Sequence, residues 1–74
     1  MKRSNIHIVP RESGWAVRRE GATRDSSHHQ TQSSATSAGR ETAKRDGVEL
    51  LIHGRDGRIR ERDSHGSDPF PPRG

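Results

Sequence analysis

The apolar residues of this chain fall into two short blocks, and that clustering limits what it can fold into more than any other feature. Ile6, Ile8, Val9, Trp15 and Val17 make the first block, and Val48, Leu50, Leu51, Ile52 and Ile59 the second. A mostly polar stretch lies between them. Within each block the apolar residues alternate with polar ones, which is the period of a strand with one buried face. Low hydrophobicity with 32% charged residues leans toward disorder by composition alone. The clustering argues instead for a folded domain with a polar middle and a loose end. A chain of 74 residues has room for one domain, expected here over residues 1–63, with a flexible Pro/Gly-rich tail over 64–74.

Asn5-Ile6-His7-Ile8-Val9 alternates, and Pro10, which cannot donate to a ladder, is expected to close the strand. Ser13-Gly14 permits a reversal, and Trp15-Ala16-Val17-Arg18-Arg19-Glu20 returns as the second arm of an antiparallel hairpin. Residues 21–30 hold little pattern: Arg24–His29 reads as a poor edge strand or a plain loop, the short strand being favoured because a long structureless connection is unusual in so small a domain. Thr31 to Asp46 reads as the only helix, with Thr31 as N-cap and Gly47 at the left-handed C-terminal position. Its inward stripe is made of small residues: Thr31, Ala35, Ala38, Gly39 and Thr42. Such a helix can lie close to a sheet, with Trp15 filling the remaining volume. Val48–His53 is the strongest strand. Gly54-Arg55-Asp56-Gly57 reads as a type I′ turn, and Arg58–Arg62 returns with Ile59 inward. The expected fold is α+β: a small, mainly antiparallel sheet with one helix on one face, in the order β-β-(β)-α-β-β.

Several segments stand in a familiar order and spacing: Ile6-His7-Ile8-Val9-Pro10, Gly14-Trp15-Ala16-Val17, Thr31-Gln32, His53-Gly54-Arg55-Asp56-Gly57-Arg58-Ile59 and Asp68-Pro69. Together they resemble the bacterial domain-of-unknown-function family 2188, small proteins of about this length, over nearly the whole chain. Relatives tend to carry Ala, Glu, Ile and Leu through the helix, where this chain has Ser33, Ser34, Thr36 and Thr42. The resemblance implies an architecture and no activity, cofactor or catalytic residue.

No cysteine is present, so no disulfide supplements the core and no thiolate binds zinc. His28 and His29 are adjacent and would point to opposite faces of a strand. His7 and His53 both point outward and become neighbours if their strands pair, but two imidazoles without a third ligand make a weak metal site. No metal and no cofactor is expected. The serines show no oriented Ser–His–Asp arrangement, and an enzyme is not expected. The net charge of +4 rests on Arg far more than Lys. Alternation puts His7, Arg18, His53, Arg58, Arg60 and Arg62 on the outer sheet face, which makes them the candidate contacts for a partner or for nucleic acid. A basic face can track a phosphate backbone. This one lacks the exposed aromatics that stack on bases, so such binding is expected to be weak and sequence-independent. The expected role is a non-catalytic protein-interaction or structural module, with an unknown protein partner or self-association. The apolar run after Lys2 and Arg3 is too short for a signal peptide's ~7–15-residue core. No segment nears the ~20 apolar residues of a membrane span. A cytoplasmic protein is the expectation.

Overall fold

The computed structural model of the chain describes residues 4–64. The expected tail beyond Ser64, with Phe70, lies outside the described residues. Five strands form one sheet in the spatial order β3-β2-β1-β4-β5: β1 (Ile6–Arg11), β2 (Gly14–Arg19), β3 (Ser27–His29), β4 (Glu49–His53) and β5 (Ile59–Ser64). All neighbours are antiparallel except β1 and β4, which pair in parallel through Ile6↔Leu50, His7↔Leu51 and Ile8↔Ile52. A parallel pair needs a crossover. Here it runs through β2, β3 and the helix α1 (Gln32–Asp46), which crosses one face of the sheet over β1, β2, β3 and β4.

The helix is defined at both ends by local chemistry. Thr31 is extended, and its hydroxyl accepts the Ser34 N–H at 3.0 Å. At the other end Gly47 is left-handed, at φ 68° and ψ 40°. The Gly47 and Val48 N–H groups donate to the carbonyls of Lys44 and Ala43, a Schellman closure that carries Val48 into the core. Ala35, Gly39 and Ala43 are buried against the sheet, and Ala38 packs beside them. The stripe is thus turned slightly from the expected one: Ala43 joins it, Thr42 is half-buried, and Thr31 is an exposed cap. The reason for small residues is distance. A Cβ on Gly39 would lie 2.5 Å from Ile8 Cδ1 and 3.1 Å from Leu50 Cδ1.

Beneath the helix, Ile6, Ile8, Leu50, Ile52, Val17 and Trp15 form the core. Ile6, Ile8 and Leu50 are fully buried, each contributing ~1.5–3 kcal/mol by removal from water. Gly14 closes the β1–β2 hairpin at φ 152°, and a Cβ there would lie 2.3 Å from the His29 carbonyl oxygen. That contact requires glycine where β3 approaches β2.

Three expectations need correction. β1 does not stop at Pro10 but runs on to Arg11. Beyond Ile8 it has no partner on the β4 side, so a missing N–H there forgoes no bond to that strand. The β4–β5 turn is not type I′, which needs positive φ at both central residues. Neither Arg55 nor Asp56 has one; Gly57 does, at 88°, and its N–H closes the turn on the Gly54 carbonyl at 2.9 Å. Finally, Ile59 is not inward but 49% exposed. A register shift between Ile52 and His53 inserts one residue into β5, so Ile59 stands opposite His53 while Glu61 faces Ile52. A bulge of this kind changes which side chains reach the core.

Candidate functional site

The face of the sheet opposite α1 carries His7, Arg18, His53 and Arg62 of the residues singled out from sequence. Its floor is apolar: Ala16 and Leu51 are buried there, outside the core that lies beneath the helix. His7 stands next to both Leu51 and Arg18 in register, because β1 lies between β2 and β4. His7 and His53 meet as neighbours, with Nδ1 of His7 and Nε2 of His53 2.8 Å apart. The outer nitrogens are also engaged. His7 Nε2 is 3.0 Å from Glu20 Oε1, and His53 Nδ1 is 3.0 Å from the Gly57 carbonyl oxygen. A continuous chain therefore runs from Glu20 through both imidazoles to the β4–β5 turn. Glu20 lies two residues beyond Arg18, a diagonal cross-strand position that hairpin register alone makes accessible to His7.

Beside this chain is a cavity of about 280 Å³ lined by His7, Val9, Arg18, Arg19, Glu20, Gly21 and His53. Arg18 is anchored through Nε and Nη2 to the Ala22 carbonyl at 2.9 and 2.6 Å. Arg19 points to the other side and pairs with Asp46 at the end of α1.

The arginines of β5 are not brought together as one row. Arg62 faces outward opposite Leu51 and reaches Glu49 at 3.6 Å. The stem of Arg60 packs over Gly54, where a Cβ would meet its Cδ at 2.7 Å. Arg58 lies in the turn, 88% exposed and 4.0 Å from Asp56. The shift in the β4–β5 register breaks the alternation on which a single row depends.

A second cluster, not anticipated from sequence, holds the loop before β3. Arg11 donates from Nε and Nη2 to both oxygens of Asp25, at 2.8 and 2.7 Å. His28 Nε2 sits 2.9 Å from the same carboxylate. The Arg11 hydrogen bonds hold the Asp25 carboxyl below the usual carboxylate range, against the opposing effect of burial, and His28 adds to the lowering. The same bonds raise Arg11 above its ordinary value. His29 turns the other way, to the hydroxyls of Ser27 at 2.9 Å and Ser34 at 3.3 Å. Among the described residues, no three His, Asp or Glu side chains are grouped to hold a metal ion. No helix among them is long and apolar enough to cross a membrane.

Among the described residues, one helix on a five-stranded sheet with a histidine–arginine outer face defines a small α+β class of protein. The chain belongs to the family described as an uncharacterized protein conserved in bacteria, DUF2188, whose pattern matches residues 6–65. It is also similar to the uncharacterized protein YdaT of Bacillus subtilis (strain 168), at 34% identity over 61 residues. That match covers 82% of this chain and 41% of YdaT, so the chain spans about two fifths of its curated relative. No solved structure matches it at a comparable level.

Proposed function

We propose that the chain is a non-catalytic interaction module that binds another protein, a second copy included, through the open sheet face. The observation that carries this reading is the construction of that face. His7, His53 and Arg18 lie over the buried Leu51 and Ala16 and are held in place by hydrogen bonds within the domain. Preorganised side chains lose little freedom on docking, which lowers the cost of association. A cytoplasmic location suits a chain that uses no disulfide.

Nucleic acid is the weaker reading. Arg11, Arg19, Arg40 and Arg62 each face a carboxylate of the domain, which lowers the charge available to phosphates. Photo-crosslinking in the native host tests the proposal. A crosslinker at position 62 should capture a discrete partner or a second copy, and one at position 37 on the helix's exposed side should not. Capture at position 37 alone would overturn the use of the open face. A sub-micromolar, sequence-selective complex with DNA or RNA at physiological salt would replace the reading with its rival.

A further inference from the structure

The His7–His53 contact cannot be completed by two neutral imidazoles. A neutral ring has one N–H and one lone pair. The Glu20 carboxylate only accepts, so His7 Nε2 donates to it; the Gly57 carbonyl only accepts, so His53 Nδ1 donates there. Each ring has then used the N–H of its neutral form. What remains are two lone pairs, on Nδ1 of His7 and Nε2 of His53, facing each other across 2.8 Å. The ring centroids are 5.1 Å apart, longer than the nitrogen separation by about the width of one ring, so the nitrogens meet end on. Two lone pairs so placed repel unless a cation lies between them.

We infer that His7 and His53 form a binding site for one proton, shared between His7 Nδ1 and His53 Nε2, so that the pair carries a single positive charge. The competing occupant would be a transition-metal ion. Metal–imidazole bonds of ~2.0–2.1 Å would hold end-on nitrogens about 4 Å apart. The observed 2.8 Å has room for hydrogen only, and no third ligand group stands by among the described residues. Charged groups of both signs surround the pair. From β2 and the turn after it, Glu20 touches His7 and Arg18 is turned to Ala22. From β4 and β5, Glu49 and Arg62 lie near each other, and in the turn Arg58 lies near Asp56. Glu20 is thus the one carboxylate in this set that contacts the pair. It offsets the charge without competing for the shared proton.

Two measurements on the full 74-residue chain test this. Long-range ¹H–¹⁵N NMR of the wild-type imidazoles near pH ~7 should show His7 Nε2 and His53 Nδ1 protonated, with the facing nitrogens both at intermediate shifts. Ordinary neutral tautomers on both rings would overturn the proposal. So would a stoichiometric complex formed on adding zinc or nickel chloride that replaces these signals at neutral pH. In His53→Gln the His7 Nδ1 signal should move to that of an ordinary neutral tautomer; an unchanged His7 spectrum would also overturn the proposal. Should His53→Gln fail to fold, the wild-type spectrum decides alone.

Discussion

The guanidinium of Arg55 lies over the ring of Trp15, with its central carbon 5.1 Å from the ring centroid. The contact joins the β4–β5 turn to β2, across the width of two strands. Trp15 is itself a core residue, only 6% exposed. Replacing Arg55 with Ala should cost ~0.5–1 kcal/mol in urea unfolding and red-shift the tryptophan emission. An unchanged emission maximum would mean that the contact does not persist in solution.

Gly39 should not tolerate alanine, although alanine is the better helix former by ~1 kcal/mol. The added methyl would meet Ile8 Cδ1 at 2.5 Å inside a fully buried site. Overpacking of that kind costs ~1–3 kcal/mol, so after the propensity gain a net loss of up to ~2 kcal/mol is expected from denaturant unfolding. A stabilised variant would show that the helix can lift from the sheet at no cost.

Thr42 offers the opposite case. Its hydroxyl donates to the Ala38 carbonyl at 3.3 Å, a back-bond of little worth on a half-buried side chain. Thr42→Leu should raise unfolding free energy by ~0.5–1.5 kcal/mol through propensity and added apolar burial. A loss would place the free volume elsewhere.

The Arg11–Asp25 pair should make itself felt in acid. Asp25 is only 12% exposed and its folded carboxyl is held below the unfolded value of ~3.9, chiefly by Arg11. The unfolded state therefore takes up a proton first as pH falls. The stabilisation is complete above that value and is lost as pH drops through the lower folded one. Asp25→Ala should cost ~1–2 kcal/mol near neutrality, between the ranges for exposed pairs and for bonds to charged groups. The gap to wild type should close as pH approaches ~2. A gap independent of pH would assign the loss to packing instead.

Much of this architecture was legible because it is local. Alternation in Ile6–Val9, Trp15–Arg18 and Val48–His53 marks strands, and Thr31 and Gly47 bracket the helix through caps that act within a few residues. The small-residue stripe announced a close approach to the sheet, and the outward histidines announced their side of it. What local pattern cannot contain is register across strands. The insertion in β5 turns Ile59 to solvent and disperses the arginines, because one extra residue resets every later side chain. The parallel pairing of β1 with β4 sets His7 against His53, 46 residues apart, and the hairpin register adds Glu20. Arg11 finds Asp25, and Arg55 finds Trp15, only once the chain has closed on itself. The sequence by itself determined which segments would be strand or helix and, for β1, β2 and β4, which face would pack beneath the helix. Only the tertiary structure decided which polar groups would meet, since such contacts depend on distances between segments that share no local constraint.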